Sequence, residues 1–331
     1  MRYEGRTIRK LIVVALCAML LALSLPAEAQ QPKKISKIGW IVTGSGSATG
    51  LESFRREILA LGYVEGKNIA FESRYADNKL ERLPTLAEEL VRREVDVILT
   101  GTLSGALAAK NATKTIPIVF VISADPVAAG LVDSLARPGG NITGVTNISA
   151  VLAGKRLELL KETIPKLSRV AVLWNPQDPS PAQQWKESQL AARELGLQLH
   201  SMEVSSADKF EGAFKEAIKA GSGAVAVTRG PLAASNQKQI AELAAKNRLP
   251  AIYGRGEYVE SGGLMSYSTN DVDQYRRAAV YVDKILKGTK PSDLPVEQPK
   301  KFEFIINLEA AKQIGLTIPP NVLVRADKVI R

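Results

Sequence analysis

Residues 95–147 read VDVILTGTLSGALAAKNATKTIPIVFVISADPVAAGLVDSLARPGGNITGVTN, and this stretch decides the fold. It holds two short apolar runs, 95–99 and 116–122, rich in β-branched residues and bounded by Gly, Pro and Asp. That is the pattern of strands buried on both faces of a parallel sheet. Each run ends in small polar residues. The first passes into Thr100-Gly101-Thr102-Leu103-Ser104-Gly105 and an Ala-rich helix, the second into Ser123-Ala124-Asp125-Pro126. In an open α/β sheet the loops at the carboxyl ends of strands line the ligand crevice, and free N–H groups at the next helix start suit an anion. The stretch therefore predicts a small-molecule site.

Outward from it, strand and helix alternate. Upstream, 37–42 (KIGWIV) is a strand running into the Gly-Ser loop 43–50, a helix follows on Leu51, Phe54, Ile58 and Leu61, and 68–75 is a second strand. Beyond Asn147 the pattern restarts with a helix closed by Pro165, a strand at 169–174 (RVAVLW) and a helix bearing Ala182, Trp185, Ala192 and Leu195. At 331 residues the chain also exceeds the size at which one core stops growing. Two α/β lobes follow, each with a parallel sheet flanked by helices. A loose internal likeness aligns Thr100-Gly101-Thr102 with Thr228-Arg229-Gly230, as though equivalent loops face each other across a cleft. Three segments, 141–147, 264–268 and 290–300, are candidate crossings between the lobes, enough for a hinge. The expected division is 30–146 plus 264–300 for the first lobe and 147–263 plus 301–331 for the second.

Arg2, Arg6, Arg9 and Lys10 precede an apolar run, 11–25, and Ala27-Glu28-Ala29 offers small residues before Gln30, which together read as a cleaved secretory signal over 1–29. Cys17 lies mid-run behind bulky Leu16, so lipidation is not expected. The net charge is +10, yet the bases are scattered, with no run of five and no aromatic-basic alternation. A basic, soluble surface is read rather than a nucleic-acid partner.

Several blocks resemble the ABC-transporter substrate-binding proteins of the tryptophan/tyrosine-binding-like group: GYVEGKNIAFESRYA at 62–76, IPIVF with DPV and SLARPGGNITG at 116–144, GKRLELLKE at 154–162, VAVLWNP at 170–176, LPAIYGRGEYVESGGLMSYS at 249–268, and 278–320. The resemblance spans nearly all of the chain after the signal. It implies a type I periplasmic-binding fold of two Rossmann-like lobes with a three-segment hinge, closing on a small ligand in the periplasm and handing it to an inner-membrane ABC permease. A monomer without cofactor is expected. A sensor module for a receptor or kinase is the alternative reading, and a carboxylate-dependent hydrolase a more remote one.

An amino-acid-like ligand needs partners for a carboxylate and an ammonium, both desolvated on closure. Gly101, Thr102, Leu103 and Ser104 at a helix start suit the carboxylate, and Asp125 the ammonium, although Asp-Pro also caps helices. Gly44 and Ser45 are expected on the first lobe's face of the cleft, where the loop matches neither the P-loop nor the dinucleotide pattern. From the second lobe, Trp174 with Asn175, Arg229 with Gly230, and Tyr253 are candidates, and Asn147 and Tyr267 sit at crossings. Trp40 and Trp185 read as core. The sole histidine, His200, has no evident acidic partner, and no GxSxG or metal-ligand spacing occurs, so catalysis is not expected.

Overall fold

The computed structural model describes residues 35–44 and 49–331. The expected signal at 1–29 and Ser45 lie outside the described residues. Among these, no helix is long and apolar enough to cross a membrane.

The first lobe runs β1 (Ser36–Val42), α1 (Thr49–Ala60), β2 (Ile69–Tyr75), α2 (Leu83–Arg92), β3 (Val97–Thr100), α3 (Leu103–Ala112), β4 (Ile118–Ile122) and β5 (Ile142–Thr146). Its sheet has the order β2-β1-β3-β4-β5, with every pairing parallel. The apolar run that decides the fold works because both faces of β3 and β4 are covered. Ile98, Ile118, Phe120 and Ile122 pack with Leu86 and Leu90 of α2 and Leu103 of α3, while Val97, Leu99, Val119 and Val121 pack on the opposite side.

The second lobe runs α4 (Leu152–Thr163), β6 (Arg169–Trp174), α5 (Pro179–Leu195), β7 (Gln198–Glu203), α6 (Phe210–Lys219), β8 (Ala224–Val227), α7 (Pro231–Ser235), α8 (Gln237–Lys246), β9 (Ala251–Tyr253), α9 (Glu257–Glu260) and β10 (Met265–Ser268). Then α10 (Asp271–Leu286) returns to the first lobe, before β11 (Glu303–Asn307), α11 (Leu308–Gln313), α12 (Pro320–Leu323) and β12 (Lys328–Ile330) complete the second. The second sheet has the order β12-β11-β10-β9-β8-β6-β7, and only β10 with β11 is antiparallel. Its cores also alternate by strand face: Val170 and Val172 pack with Leu157 and Leu160 of α4, and Ala171 and Leu173 with Phe210 and Phe214 of α6.

The sequence reading put 264–300 wholly in the first lobe. The structure divides that segment. Met265–Ser268 pairs with β9 and β11, and fully buried Met265 joins Leu157, Ile252 and Phe304 in the second core. Only after Ser268 does the chain cross, and α10 then covers the first sheet with Ala278, Ala279, Val282 and Ile285. The return segment leans on β5, where the Thr143 hydroxyl donates to the Leu294 carbonyl at 2.6 Å and Glu297 bridges Val145. Two crossings are tied by Arg156 of α4, whose Nε donates to the Tyr267 carbonyl at 3.0 Å and whose Nη2 donates to the Ser149 hydroxyl at 2.6 Å. Burial, and secondarily the neighbouring Arg229, push this guanidinium down to about 9.

Candidate functional site

The carboxyl ends of β1, β3 and β4 face those of β6 and β8 across a cavity of about 360 Å³, which α10 closes from the side. That size falls within the range of small-molecule pockets. The two lobes touch around it. The Ser104 hydroxyl of α3 donates to Asp178 Oδ1 at 3.2 Å, Arg229 Nε donates to the Ser123 hydroxyl at 3.2 Å, and the Asp125 N–H donates to Gln183 Oε1 at 2.9 Å.

The first-lobe wall is aromatic and hydroxylic. Trp40, in β1, meets Phe54 edge-on at 5.3 Å and stacks on Tyr275 of α10 at 6.0 Å with 14° between planes. Tyr275 lies over Gly50 and Gly101. A Cβ at Gly50 would come within 2.2 Å of its ring, and one at Gly101 within 2.4 Å of its hydroxyl, so glycine is what admits the ring. Burial pushes the Tyr275 phenol up to about 12, with Asp271 adding to the rise, and it stays neutral. Beside it the Thr43 and Thr102 hydroxyls share a hydrogen bond of 2.6 Å, and Thr102 caps α3 by accepting from the Gly105 N–H at 3.1 Å. This wall continues through Gly44 and Leu103.

The opposite wall is ionic, with the second-lobe arginines gathered on Asp271 at the start of α10. Arg229 Nη2 reaches both oxygens of Asp271 at 2.7 and 2.8 Å, and Arg255 Nη2 reaches Asp271 Oδ2 at 2.7 Å while also pairing with Glu257 at 3.2 Å. Burial works to raise the Asp271 carboxyl, but Arg229 and Arg255 outweigh it and hold the group below the usual carboxylate range. The Arg229 backbone is clamped by buried Gln184, whose Oε1 accepts from the Arg229 N–H and whose Nε2 donates to its carbonyl, both at 2.8 Å. Asp178 caps α5. Its Oδ1 accepts from the Ser180 N–H at 3.1 Å as well as from Ser104, whereas Oδ2 is buried with no partner among the described residues. Burial pushes this carboxyl up to about 6, against the opposing pull of those two donors.

Of the residues singled out from sequence, Gly44, Gly101, Thr102, Leu103, Asn147, Arg229 and Gly230 line the cavity. Asn147 holds its place by donating to the Ser123 hydroxyl at 3.0 Å. Ser104 stands behind the wall, bonded to Asp178. The remaining residues point elsewhere. Asp125 is exposed and caps only a turn, its Oδ1 accepting from the Val127 and Ala128 N–H groups, and no helix follows. Trp174 stacks on Trp185 at 5.5 Å and donates to the Ser201 hydroxyl, while Asn175 caps a local turn at Gln177. Tyr253 is fully buried against Tyr258, and Tyr267 stacks on Phe302. Conversely, Trp40 is buried in the first core as the sequence implied but also lines the cavity, and Asp178, Tyr275, Asp271 and Arg255 were missed. Asp178 carried only a cap signal, and Asp271 only that of an acidic residue in the first turn of a helix.

With this geometry in place, a family model described as ABC transporter substrate binding protein matches residues 38–330. The chain belongs to that family. It is a family of binding proteins rather than enzymes, and its type I periplasmic-binding fold is the one described above. The chain is similar to the tyrosine-binding protein of Clostridioides difficile, 28% identical over 77% of this chain and 73% of that one. It is similar also to a Streptococcus pneumoniae ABC domain solved with L-Trp, at 25% identity and TM-score 0.81 over 90% of this chain and 100% of that one. A ligand-free, open substrate-binding protein of Clostridium difficile is 26% identical over 90% of this chain and 99% of that one, but superposes with a TM-score of only 0.62.

Proposed function

We propose that this protein is the exported, periplasmic binding component of an ABC importer and that it closes on an aromatic amino acid or a related aromatic carboxylate. The observation that carries the reading is the cavity's division into an aromatic wall at Trp40 and Tyr275 and an ionic wall at Arg229, Arg255 and Asp178. A ligand with a ring at one end and charges at the other matches both. The L-Trp and tyrosine partners named for the similar proteins favour the same class. The ring would lie beside Trp40 and Tyr275, and the carboxylate would meet the start of α3 at Thr102 and Leu103, where helix N–H groups lack intrahelical acceptors. Closure would then present the bound form to a membrane permease.

A thermal-shift and calorimetric screen of the mature protein against L-Trp, L-Tyr, their side-chain analogues and unrelated sugars tests this. Ligand at 100 times its Kd should add about 2.7 kcal/mol of stability without being consumed. No shift with any aromatic acid, or conversion of the ligand, sinks the reading. Loss of uptake of the same compound on deleting the protein in its host tests the transport role.

A further inference from the structure

Among the described residues other than glycine, Asp77, Asn78, Glu94, Ile148 and Arg248 take a positive φ. Four of them have a local reason. Asp and Asn tolerate the left-handed region through their short polar side chains. Glu94 and Arg248 stand just past the last turns of α2 and α8, where helices commonly end in that conformation. Ile148, at φ 48°, shares neither reason. A β-branched side chain crowds its own backbone there, and such an outlier persists only where its surroundings over-determine it.

Those surroundings belong to two bodies. Before Ile148 the chain is fixed to the first lobe. The Asn147 N–H donates to the Ile122 carbonyl at 2.9 Å, and the Thr146 hydroxyl, which accepts from the Ile148 N–H at 3.2 Å, donates to the Ala124 carbonyl at 2.8 Å. After Ile148 the chain is fixed to the second lobe. The Leu152 N–H donates to the Ile148 carbonyl at 3.1 Å, and Arg156 donates to the Ser149 carbonyl and hydroxyl at 3.3 and 2.6 Å. The φ and ψ bonds of Ile148 thus lie between an N–H tied to one lobe and a carbonyl tied to the other, and the Ser149 N–H bridges the joint to Asn147 Oδ1 at 3.1 Å. The other crossings, 268–271 and 297–303, hold no described residue with a positive φ. In this arrangement the lobes touch through Ser104 with Asp178, Ser123 with Arg229, and Asp125 with Gln183. Parting them turns the torsions of the joint, and departure from the left-handed basin carries isoleucine to a region it prefers. We propose that Ile148 is the spring of the hinge: it strains the arrangement in which the lobes touch, so the ligand-free protein rests open. Contacts from a ligand then hold the joint in its strained form, which makes closure conditional on cargo of whatever class.

Lobe separation in the ligand-free protein tests this. Cys17, within the expected signal, is the sole cysteine of the chain, so in the mature protein spin labels at Lys79→Cys and Lys238→Cys report one distance. Both sites are exposed and lie close to Asn78 and Ser235, which flank Gly44 from the two lobes. By double electron–electron resonance the wild type should show mainly the separated distance. Ile148→Gly and Ile148→Asn accept the left-handed region and should raise the ratio of touching to separated lobes roughly five- to a hundredfold, the reach of one strained residue. Asn keeps a Cβ, so agreement between the two isolates relief of strain from added chain freedom. Ile148→Val keeps the branch and should stay with wild type. A shift in Ile148→Gly alone, or in neither variant, overturns the proposal, as does a ligand-free wild type whose lobes already touch. No ligand is added, so failure here leaves the aromatic-ligand reading standing, and an empty ligand screen leaves this result standing.

Discussion

The two walls of the cavity are built by opposite means. The first lobe presents rings and hydroxyls held by packing, with Tyr275 seated on two glycines and stacked on Trp40. The second presents buried arginines held by Asp271 at the start of α10, with Gln184 clamping the backbone beneath. The first wall should fail when its shape changes and the second when its charge balance changes. A ring is recognised by contact area, which tolerates variation, whereas a desolvated charge left unpaired is costly.

Removing the shared carboxylate of the ionic wall is the severest test of that contrast. Asp271→Ala leaves two buried guanidiniums facing each other and should cost about 3–5 kcal/mol in urea unfolding. A loss below about 1 kcal/mol would show that the wall is not held by charge. On the aromatic wall, Gly101→Ala drives a methyl into the Tyr275 hydroxyl and should cost about 1–3 kcal/mol while displacing the ring and weakening aromatic ligands more than the fold. Unchanged affinity would mean that Tyr275 does not shape the site.

A smaller effect distinguishes the walls by pH. Burial has raised the Asp178 carboxyl to about 6, above its unfolded value, so the folded state binds this proton more tightly and stability should rise as pH falls from 7 through 6. Asp271, held low by Arg229 and Arg255, does not titrate in that window. Asp178→Asn should flatten the profile, and scanning calorimetry on either side of pH 6 checks it. The smallest effect separates the two tryptophan pairs: Trp174→Phe should leave affinity within about 0.5 kcal/mol and preserve a ligand-dependent fluorescence change that Trp40→Phe abolishes. If Trp174→Phe removes the signal instead, the assignment of the walls is reversed.

The comparison of Trp40 with Trp174 also shows where sequence reading stops. Both lie in strands that open a lobe, and the loop after Trp174 made it look like the exposed one. Trp174 in fact turns to Trp185 one helix later, whereas Trp40 faces the cavity because α10, from the far end of the chain, lies against it. Asp125 failed for a related reason: its cap signal was real, but the cap closes a turn on the exterior and its neighbour is Gln183 of the other lobe.

By itself the sequence determined the alternating elements, the two-lobed plan and the loops at strand ends, because these follow from hydrophobic periodicity and turn residues within a short window. Hence Gly101, Thr102 and Arg229 were legible as cavity residues. Only the tertiary structure decided that β10 joins the second sheet, that Tyr275 covers Trp40, that Asp271 neutralises two arginines, and that Asp178 keeps an oxygen unpaired among the described residues. Each of these depends on segments distant in sequence meeting where water is excluded. Pairing and desolvation there belong to the assembled cleft, and no local pattern encodes them.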